Sequence, residues 1–449
     1  GMQHLRLLVG LACFATFSAC STKERMPPTP NVLRDGSGSA RLLELPPTLQ
    51  TPEMEILYVT DRAKDRDGVL GPEYGFGRSM SLSYGTATVS LGEETTWEEV
   101  VRMSGQGEEH ADWELELTEI DEVGSVGITA EALEVVDGQL RRNAAAELQL
   151  MAIRANFIGL VKSKMEQAPS KDLYVYVHGF NNSFYDSIAR AAILWHSISR
   201  QGVFLSYTWP AGSGGALGYF YDRESGEFTI FHLREVIRLL AQVPGVERLH
   251  IIAHSRGTDV ATTALRELNI ALRAQGRDPQ QALKLESLVL AAPDLDLDVF
   301  AQRFWIENLG AVAKRTAIYF SSEDGAIGFS NWLFGSRTRI GTLSNLELTP
   351  VQSKLFQELK QINLIECQVS GYGSSHAYVF GDPAAMSDVV AVLRDRRDAG
   401  AEHGRPLEAL EQGTWLLTDD YFAEIDETEA GAGEAKVEST VGVPDDRDR

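Results

Sequence analysis

The sequence predicts an α/β protein with a doubly wound, mostly parallel sheet, an N-terminal strand extension and possible lid insertions. Short runs rich in Val, Ile, Leu and Tyr alternate with helical segments, as expected of strands that are buried on both faces. These runs are "DLYVYVHGF", "GVFLSYTWP", "RLHIIAHS", "SLVLAAPD" and "TAIYFSSED". The helical patterns that separate most of them cover residues 184–201, 231–242, 258–275 and 299–308.

Two strands and a long helix are expected before this alternation. The runs "MEILYVTDR" and "GTATVSL" predict the strand extension, and residues 144–167 carry a helical pattern. Apolar residues at i, i+3, i+4 and i+7 indicate one apolar helix face, which holds Leu148, Met151, Ala152, Ala155 and Ile158. A last helix is expected near residues 384–398, because "DP" supplies a helix cap and a first-turn proline.

The first residues predict a targeting segment. Basic His4 and Arg6 precede the apolar run "LLVGLACFATF", and "FSAC" leads to Cys20. Residues 2–20 resemble a bacterial lipoprotein signal peptide, whose cysteine is lipidated and becomes the mature N-terminus. The resemblance implies a lipid-anchored protein of the bacterial cell envelope. Ser21 in place of Asp implies the outer membrane, facing the periplasm. An ordinary secretory signal or a membrane anchor is the alternative, although the apolar core is short for a span.

Composition divides the rest of the chain into three parts. Residues 21–52 are rich in Pro, Ser, Thr and Gly, which predicts a flexible tether. Residues 53–400 carry the alternating pattern and predict the α/β domain. Residues 401–449 form a C-terminal extension, and its acidic end, poor in large apolar residues, predicts a disordered tail.

The charge balance argues against nucleic-acid binding. The chain carries 64 Asp and Glu against 41 Lys and Arg, a net charge of −23, whereas a nucleic-acid surface needs cationic side chains. This charge also argues against recruitment to anionic lipid by charge alone. The three cysteines are too few for a disulfide framework, and Cys367 is expected to be a core residue. We expect no cofactor and no metal, since no spaced cluster of His, Cys and carboxylates is present.

The stretch "LHIIAHSRGTDV" places a serine where a strand gives way to a helix. At such a turn, residues two before and two after the serine must be small, as Ala253 and Gly257 are. The turn would expose the hydroxyl of Ser255 as a nucleophile and direct the amide of Arg256 toward a developing oxyanion. A helix-capping serine is the alternative interpretation.

A serine nucleophile needs a base and an acid. His376 lies in a Gly- and Ser-rich loop after the last strand, whereas His254 is expected to point away from Ser255. Asp324 follows the strand "TAIYFSS", which gives the order Ser, Asp, His along the chain. The alternatives for the acid are Glu323, Asp294 and Asp296.

The loops after two other strands should complete the pocket. The second oxyanion donor is expected to be the amide of Phe180, or failing that of Asn181. His178 and Trp209 are expected to frame the site. Residues 211–221, which are glycine-rich, and residues 330–335 are candidates for a flap or lid, with ordinary connection or packing as the alternative.

Together these motifs resemble the α/β-hydrolase superfamily. Within it, "VHGFNNSF", "SYTWPAG", "FYDRESG", "AHSRG", "AAPDLD" and "SSEDGAI" resemble a bacterial family of α/β-hydrolase proteins of unknown function. The N-terminal "VTDRA" and "YGFGRSMSLSYGTATVSLG" are similar to it as well, so the resemblance covers residues 54–398. That family usually has Met where this chain has Arg256, and an arginine side chain at the pocket mouth could alter substrate preference.

The resemblance implies a serine-hydrolase fold without specifying a substrate. We expect a membrane-tethered esterase- or lipase-like enzyme that cleaves a small-molecule or lipid ester, or another acyl compound, through Ser255, His376 and Asp324. An acyltransferase is one alternative. The other is a non-catalytic envelope lipoprotein that uses the fold for binding or as a scaffold.

Overall fold

The computed structural model describes residues 24–105, 113–127, 132–212, 215–321, 350, 354, 358–370, 376–410 and 413–422. Its strands are β1 Glu53–Gly68, β2 Gly71–Ser90, β3 Glu116–Gly127, β4 Leu133–Val136, β5 Gln139–Arg142, β6 Asp172–Val177, β7 Val203–Thr208, β8 Arg248–His254, β9 Leu285–Ala291, β10 Arg315–Phe320, β11 Ile362–Gln368, β12 Glu408–Ala409 and β13 Trp415–Thr418. Its α-helices are α1 Ser37–Leu43, α2 Trp97–Met103, α3 Ala144–Gln167, α4 Phe184–Ser197, α5 Gly215–Leu240, α6 Gly257–Ala274, α7 Pro279–Leu283, α8 Leu297–Ala301, α9 Tyr378–Gly381 and α10 Pro383–Leu393.

An eleven-stranded sheet organises the domain in the order β12-β13-β11-β10-β9-β8-β6-β7-β1-β2-β3. The strands from β13 to β1 in this order pair in parallel, while β2, β3 and β12 join antiparallel. All residues of β6 and β9 are buried, because helices cover both faces of the sheet. The predicted α/β class is confirmed, including the strand extension, which is β1 to β3.

Two apolar layers flank the sheet. One packs α3, α5 and α6 against it, and the other packs α4 and α10. α3 has the predicted bounds, but the apolar face expected from the spacing points outward, with Leu148 and Met151 exposed. The adjacent face packs inward instead, because Phe157 and Val161 reach the core, where the Phe157 ring lies 5.1 Å from that of Tyr84. α3 is long and apolar enough to cross a bilayer, yet this contact makes it a helix of the domain.

The flexible tether predicted for residues 21–52 needs correction, since residues 24–52 pack on the domain. Val32 and Leu33 enter the core, and the amide of Val32 donates to Ser387 Oγ at 3.1 Å. Asn31 Nδ2 donates to the carbonyl of Tyr421 at 2.9 Å. Composition concealed this because the few apolar residues of the segment are spread among prolines, serines and glycines.

Residues 211–221, for which a flap and an ordinary connection were both open, are largely helical in the structure. α5 begins at Gly215 rather than near residue 231, so most of the glycine-rich stretch forms its first turns. The second lid candidate, residues 330–335, lies outside the described residues.

The domain extends beyond residue 400, because the C-terminal extension supplies strands β12 and β13. A buried ion pair secures it: Arg405 Nε and Nη2 each lie 2.7 Å from a carboxylate oxygen of Asp388 on α10. Both side chains are fully buried. The hydroxyls of Tyr319 and Tyr421 also donate to this carboxylate. The predicted acidic tail lies outside the described residues.

We expect removal of one partner of this pair to destabilise the fold strongly. Arg405→Met should lower the free energy of unfolding by about 3–5 kcal/mol, because it leaves the Asp388 carboxylate buried without its cation. Urea unfolding followed by circular dichroism measures the difference. Arg66→Met is the matched control, since the Arg66–Glu73 pair is exposed and should contribute at most about 1 kcal/mol. Equal effects of the two substitutions would contradict the prediction.

Candidate functional site

The turn at Ser255 has strained backbone geometry. β8 ends at His254, α6 begins at Gly257, and Ser255 between them has φ of 52°. A side chain in this region costs about 1–3 kcal/mol, so surrounding contacts must enforce it. The amide of Ser255 donates to the carbonyl of Ala291 at 2.9 Å, and its own carbonyl accepts from the amide and hydroxyl of Thr258. These bonds hold the serine at the edge of the sheet where the parallel strands end.

Close packing around the turn requires small residues. A Cβ on Gly257 would lie 2.3 Å from the carbonyl oxygen of His178, so no larger residue fits without moving backbone. A Cβ on Gly179 would lie 2.7 Å from Cβ of Ser255. Ala253 is fully buried. The serine motif predicted small residues at positions 253 and 257. The need for a glycine at position 179 arises in the loop after β6 and was missed.

His254, the residue before Ser255, holds His376 beside the serine turn. His254 Nε2 donates to the carbonyl of His376 at 3.0 Å, and the two rings lie 4.9 Å apart. His376 lies 121 positions after Ser255 in the chain. The fold therefore brings it to His254, the residue that precedes Ser255. His254 has the structural role expected of it, because its ring is directed to the His376 backbone.

The structure describes two of the four candidates for the acid that would orient His376. Asp324 and the alternative Glu323 lie outside the described residues. Asp296 caps α8, where one carboxylate oxygen accepts from two backbone amides, so that side chain is committed to the helix. Asp294 is buried, and its amide donates to the carbonyl of Ser255 at 3.3 Å. Asp294 is therefore adjacent to the serine turn.

Arg256 directly precedes α6 as its N-cap residue, with its backbone already in the helical region. Its amide thus lies at the positive end of that helix. The arginine side chain is buried and pairs with Asp259 at 3.0 Å, and Arg303 binds the same carboxylate at 2.8 Å. Burial alone would raise the pKa of Asp259, but the two arginines hold it below its usual value. The Arg256 side chain is therefore committed to an ion-pair network with Asp259 and Arg303.

The loop after β6 is fixed by a carboxylate that sequence reasoning missed. Asp222, buried on α5, accepts from the amide of Asn181 at 3.0 Å and from that of Gly212 at 3.1 Å. Asn181 itself has a positive φ of 54°. Because the Asn181 amide binds Asp222, Asn181 supports the loop rather than serving as an oxyanion donor. Phe180, the first choice, lies in this loop next to Asn181.

His178 and Trp209 stack beneath this loop, with ring centroids 5.1 Å apart and planes 3° from parallel. Trp209 Nε1 donates to the carbonyl of His178 at 2.8 Å, and His178 Nδ1 donates to that of Gly179 at 2.9 Å. Burial, with Arg62 close by, holds the pKa of His178 well below its usual value. His178 is therefore neutral, and its ring is held by contacts with Trp209 and the Gly179 carbonyl.

Arg62 is a second connecting residue that sequence reasoning missed. Its side chain is fully buried, and burial lowers its pKa to about 10. The guanidinium donates to five groups from three separate segments: Thr208 Oγ1, His178 Nε2 and the carbonyls of Gly75, Ala211 and Asn182. It therefore ties the loops after β6 and β7 to β2. The only sequence signal was an arginine ending the buried run "MEILYVTDR".

No metal centre accompanies these residues in the described part of the chain, where no group of three or more His, Cys, Asp or Glu side chains could hold an ion.

The arrangement of strands and motifs agrees with a known family. Residues 154–396, more than half of the chain, match the family described as alpha/beta hydrolase of unknown function (DUF900). The chain belongs to this family. The match spans β6 to β11 and includes Ser255 and His376. The predicted superfamily resemblance is thereby confirmed, and the fold is of hydrolase type. A search of curated proteins found no match.

We expect Gly257→Ala to destabilise the domain by about 1–3 kcal/mol, because the new methyl group would overlap backbone that cannot move aside. Urea unfolding measures the change. Gly159→Ala in α3 is the control, since a Cβ there meets no atom within 4 Å and should stabilise the helix by up to about 1 kcal/mol. Unchanged stability of Gly257→Ala would refute the steric argument.

Proposed function

We propose that this protein is a serine hydrolase that cleaves an ester or another acyl compound, with Ser255 as nucleophile. The strand–turn–helix geometry at Ser255, with φ of 52° at the serine and small residues packed around it, carries the proposal, because α/β-hydrolases present their nucleophilic serine on such a turn. The hydrolase-type fold and the contact between His254 and the His376 backbone support it further. The order of Ser255, Asp324 and His376 along the chain, which is that of a hydrolase nucleophile, acid and base, favours the enzyme over the scaffold alternative.

The proposed reaction follows the acyl-enzyme route. Ser255 Oγ attacks the substrate carbonyl carbon while His376 takes its proton, and Asp324 orients the imidazole and stabilises its charged form. The amides of Arg256 and Phe180 donate to the oxyanion. His376 then protonates the leaving alcohol as the tetrahedral intermediate collapses to an ester of Ser255. Water, deprotonated by His376, attacks this ester and releases the acid with Ser255 restored.

The proposal includes a membrane anchor at Cys20. The signal-like residues 2–20 support lipidation of this cysteine. Ser21 supports placement in the outer membrane, with the domain in the periplasm.

We expect an alkyl phosphonate fluorescent probe to label the wild-type protein at Ser255. Ser255→Ala should abolish the labelling, because the hydroxyl that forms the phosphonate ester is gone. Ser183→Ala is the control, since Ser183 only caps α4 and its variant should still be labelled. Gel fluorescence and mass spectrometry of the labelled peptide measure the outcome. A folded wild type that the probe never labels would overturn the proposal.

We expect Asp324→Asn to reduce kcat for a short-chain ester by a factor on the order of 10⁴, because the amide stabilises the wrong imidazole tautomer. Asp294→Asn should stay within about tenfold of wild type, as for a residue outside the proton path. Thermal melting confirms that both variants are folded. The reverse pattern would assign the acid to Asp294.

A further inference from the structure

A cavity of about 490 Å³ lies between the strand extension β1–β3 and the helices α3 and α5. Among the described residues that line it, none belongs to the serine turn or to the loops after β6 and β7. The proposed reaction therefore makes no use of this cavity. A volume of this size with a mostly apolar wall is typical of a site for a small organic molecule.

Strand register builds the apolar wall on the side of the sheet. Met80, Leu82 and Tyr84 alternate along β2, so their side chains project from the same face. Val126 of β3 is paired with Leu82, and Val59 of β1 is paired with Tyr84. Paired residues share a face of the sheet, and all five of these residues line the cavity.

The two helices supply the opposite wall. Leu150, Arg154 and Phe157 follow one another at i, i+4 and i+7 on α3, and Val236 and Leu239 lie three positions apart on α5. These spacings place each set on one helix face. All five residues line the cavity, and the four apolar side chains are buried. Arg154 is therefore a charged group set among apolar side chains.

The charge of the cavity lining is opposite to that of the chain. The charged lining residues are three arginines and one glutamate, namely Arg142, Arg154, Arg234 and Glu235. The whole chain, by contrast, has a net charge of −23. Because a cleft with an excess of one charge attracts ligands of the other sign, this lining complements an anionic group attached to an apolar chain.

Arg154 is the arginine that can receive such a group. The other two arginines form ion pairs with glutamates at 3.2 and 2.7 Å. Arg154 lies 3.8 Å from Glu235, beyond hydrogen-bond distance, and donates no hydrogen bond to the residues that the structure describes. A guanidinium has five N–H donors and can bind a carboxylate through two parallel hydrogen bonds. Arg154 thus keeps its donors available to a ligand in the cavity.

We propose that this cavity binds a fatty carboxylate, with its alkyl chain between the sheet wall and the two helices and its carboxylate on Arg154. The alkyl chain leaves water when it enters the apolar cavity, which favours binding. The carboxylate gives Arg154 a hydrogen-bonded anionic partner. This site is separate from the hydrolase proposed at Ser255, and its tests do not depend on catalysis.

Methionine NMR tests where the ligand binds. Decanoate is added to the full-length protein carrying carbon-13-labelled methionine methyl groups, and the signals are assigned with Met80→Leu and Met151→Leu. Met80 lines the cavity and is 69% exposed, whereas Met151 does not line it and is 61% exposed on α3. A saturable shift of the Met80 signal is expected, without a shift of the Met151 signal. Shifts of both signals, or an unchanged Met80 signal, overturn the proposal.

Calorimetric titration tests the contact with the carboxylate. Arg154→Gln should weaken decanoate binding at least about tenfold, because the charge-assisted hydrogen bonds are lost. Arg41→Gln is the matched control, since Arg41 on α1 also has an ion pair at 3.8 Å, with Asp395, and does not line the cavity. This variant should bind decanoate like the wild type. Equal affinities of the wild type and Arg154→Gln overturn the proposal.

Titration with 1-decanol distinguishes a carboxylate from a hydroxyl headgroup. His232 also lines the cavity, and its Nδ1 lies 2.8 Å from Asp61 Oδ2, which accepts from Thr229 Oγ1 as well. Nδ1 therefore donates to Asp61, which leaves His232 Nε2 as an acceptor that suits a hydroxyl. The wild type is expected to bind decanoate more tightly than 1-decanol, and Arg154→Gln should remove this preference. Tighter binding of 1-decanol by the wild type overturns the assignment of a carboxylate.

Discussion

The close approach of the serine turn to the end of β6 is the constraint on which the site depends. Gly257 lies against the carbonyl of His178, and Gly179 lies against the side chain of Ser255. With two glycines facing across this gap, β8 and β6 stay in register up to their last residues, and the loops that follow them meet. Any side chain added at either position would separate Ser255 from the loop that holds Phe180.

Buried charged residues then position the loops around that contact. Arg62 and Asp222 bind mostly backbone atoms, so they specify the path of the chain rather than the identity of neighbouring side chains. A buried guanidinium or carboxylate is costly without partners, and this cost makes other loop conformations unfavourable. Arg405 and Asp388 serve the same purpose at the opposite edge of the sheet, where they join α10 to the C-terminal strands.

The sequence predicted the parts of the fold that depend on local pattern. A few consecutive residues are enough to recognise the apolar runs of β6 to β10 and the small residues around Ser255. This is because strand burial and turn sterics act over short distances along the chain. The roles of Arg62 and Asp222 could not be read in this way, since each connects segments that only the folded sheet brings together. Residues 24–52 were misjudged because flexibility was inferred from average composition, whereas a few residues such as Val32 and Leu33 decided their packing. The spacing on α3 identified a helix correctly but could not tell which of two apolar faces turns inward.

The bond from Asn31 to the carbonyl of Tyr421 closes the domain between residues 390 positions apart. Strand β13 likewise joins the sheet only after every other described strand has been synthesised. Contacts of such long sequence separation give a high contact order, which slows folding and leaves sheet edges open in partly made chains. The domain therefore cannot complete its fold while its C-terminal residues are still being synthesised. During that interval β11 lacks its neighbour β13, and Asn31 lacks its hydrogen-bond partner Tyr421. The domain therefore completes its fold late, once the sequence up to Tyr421 has been synthesised.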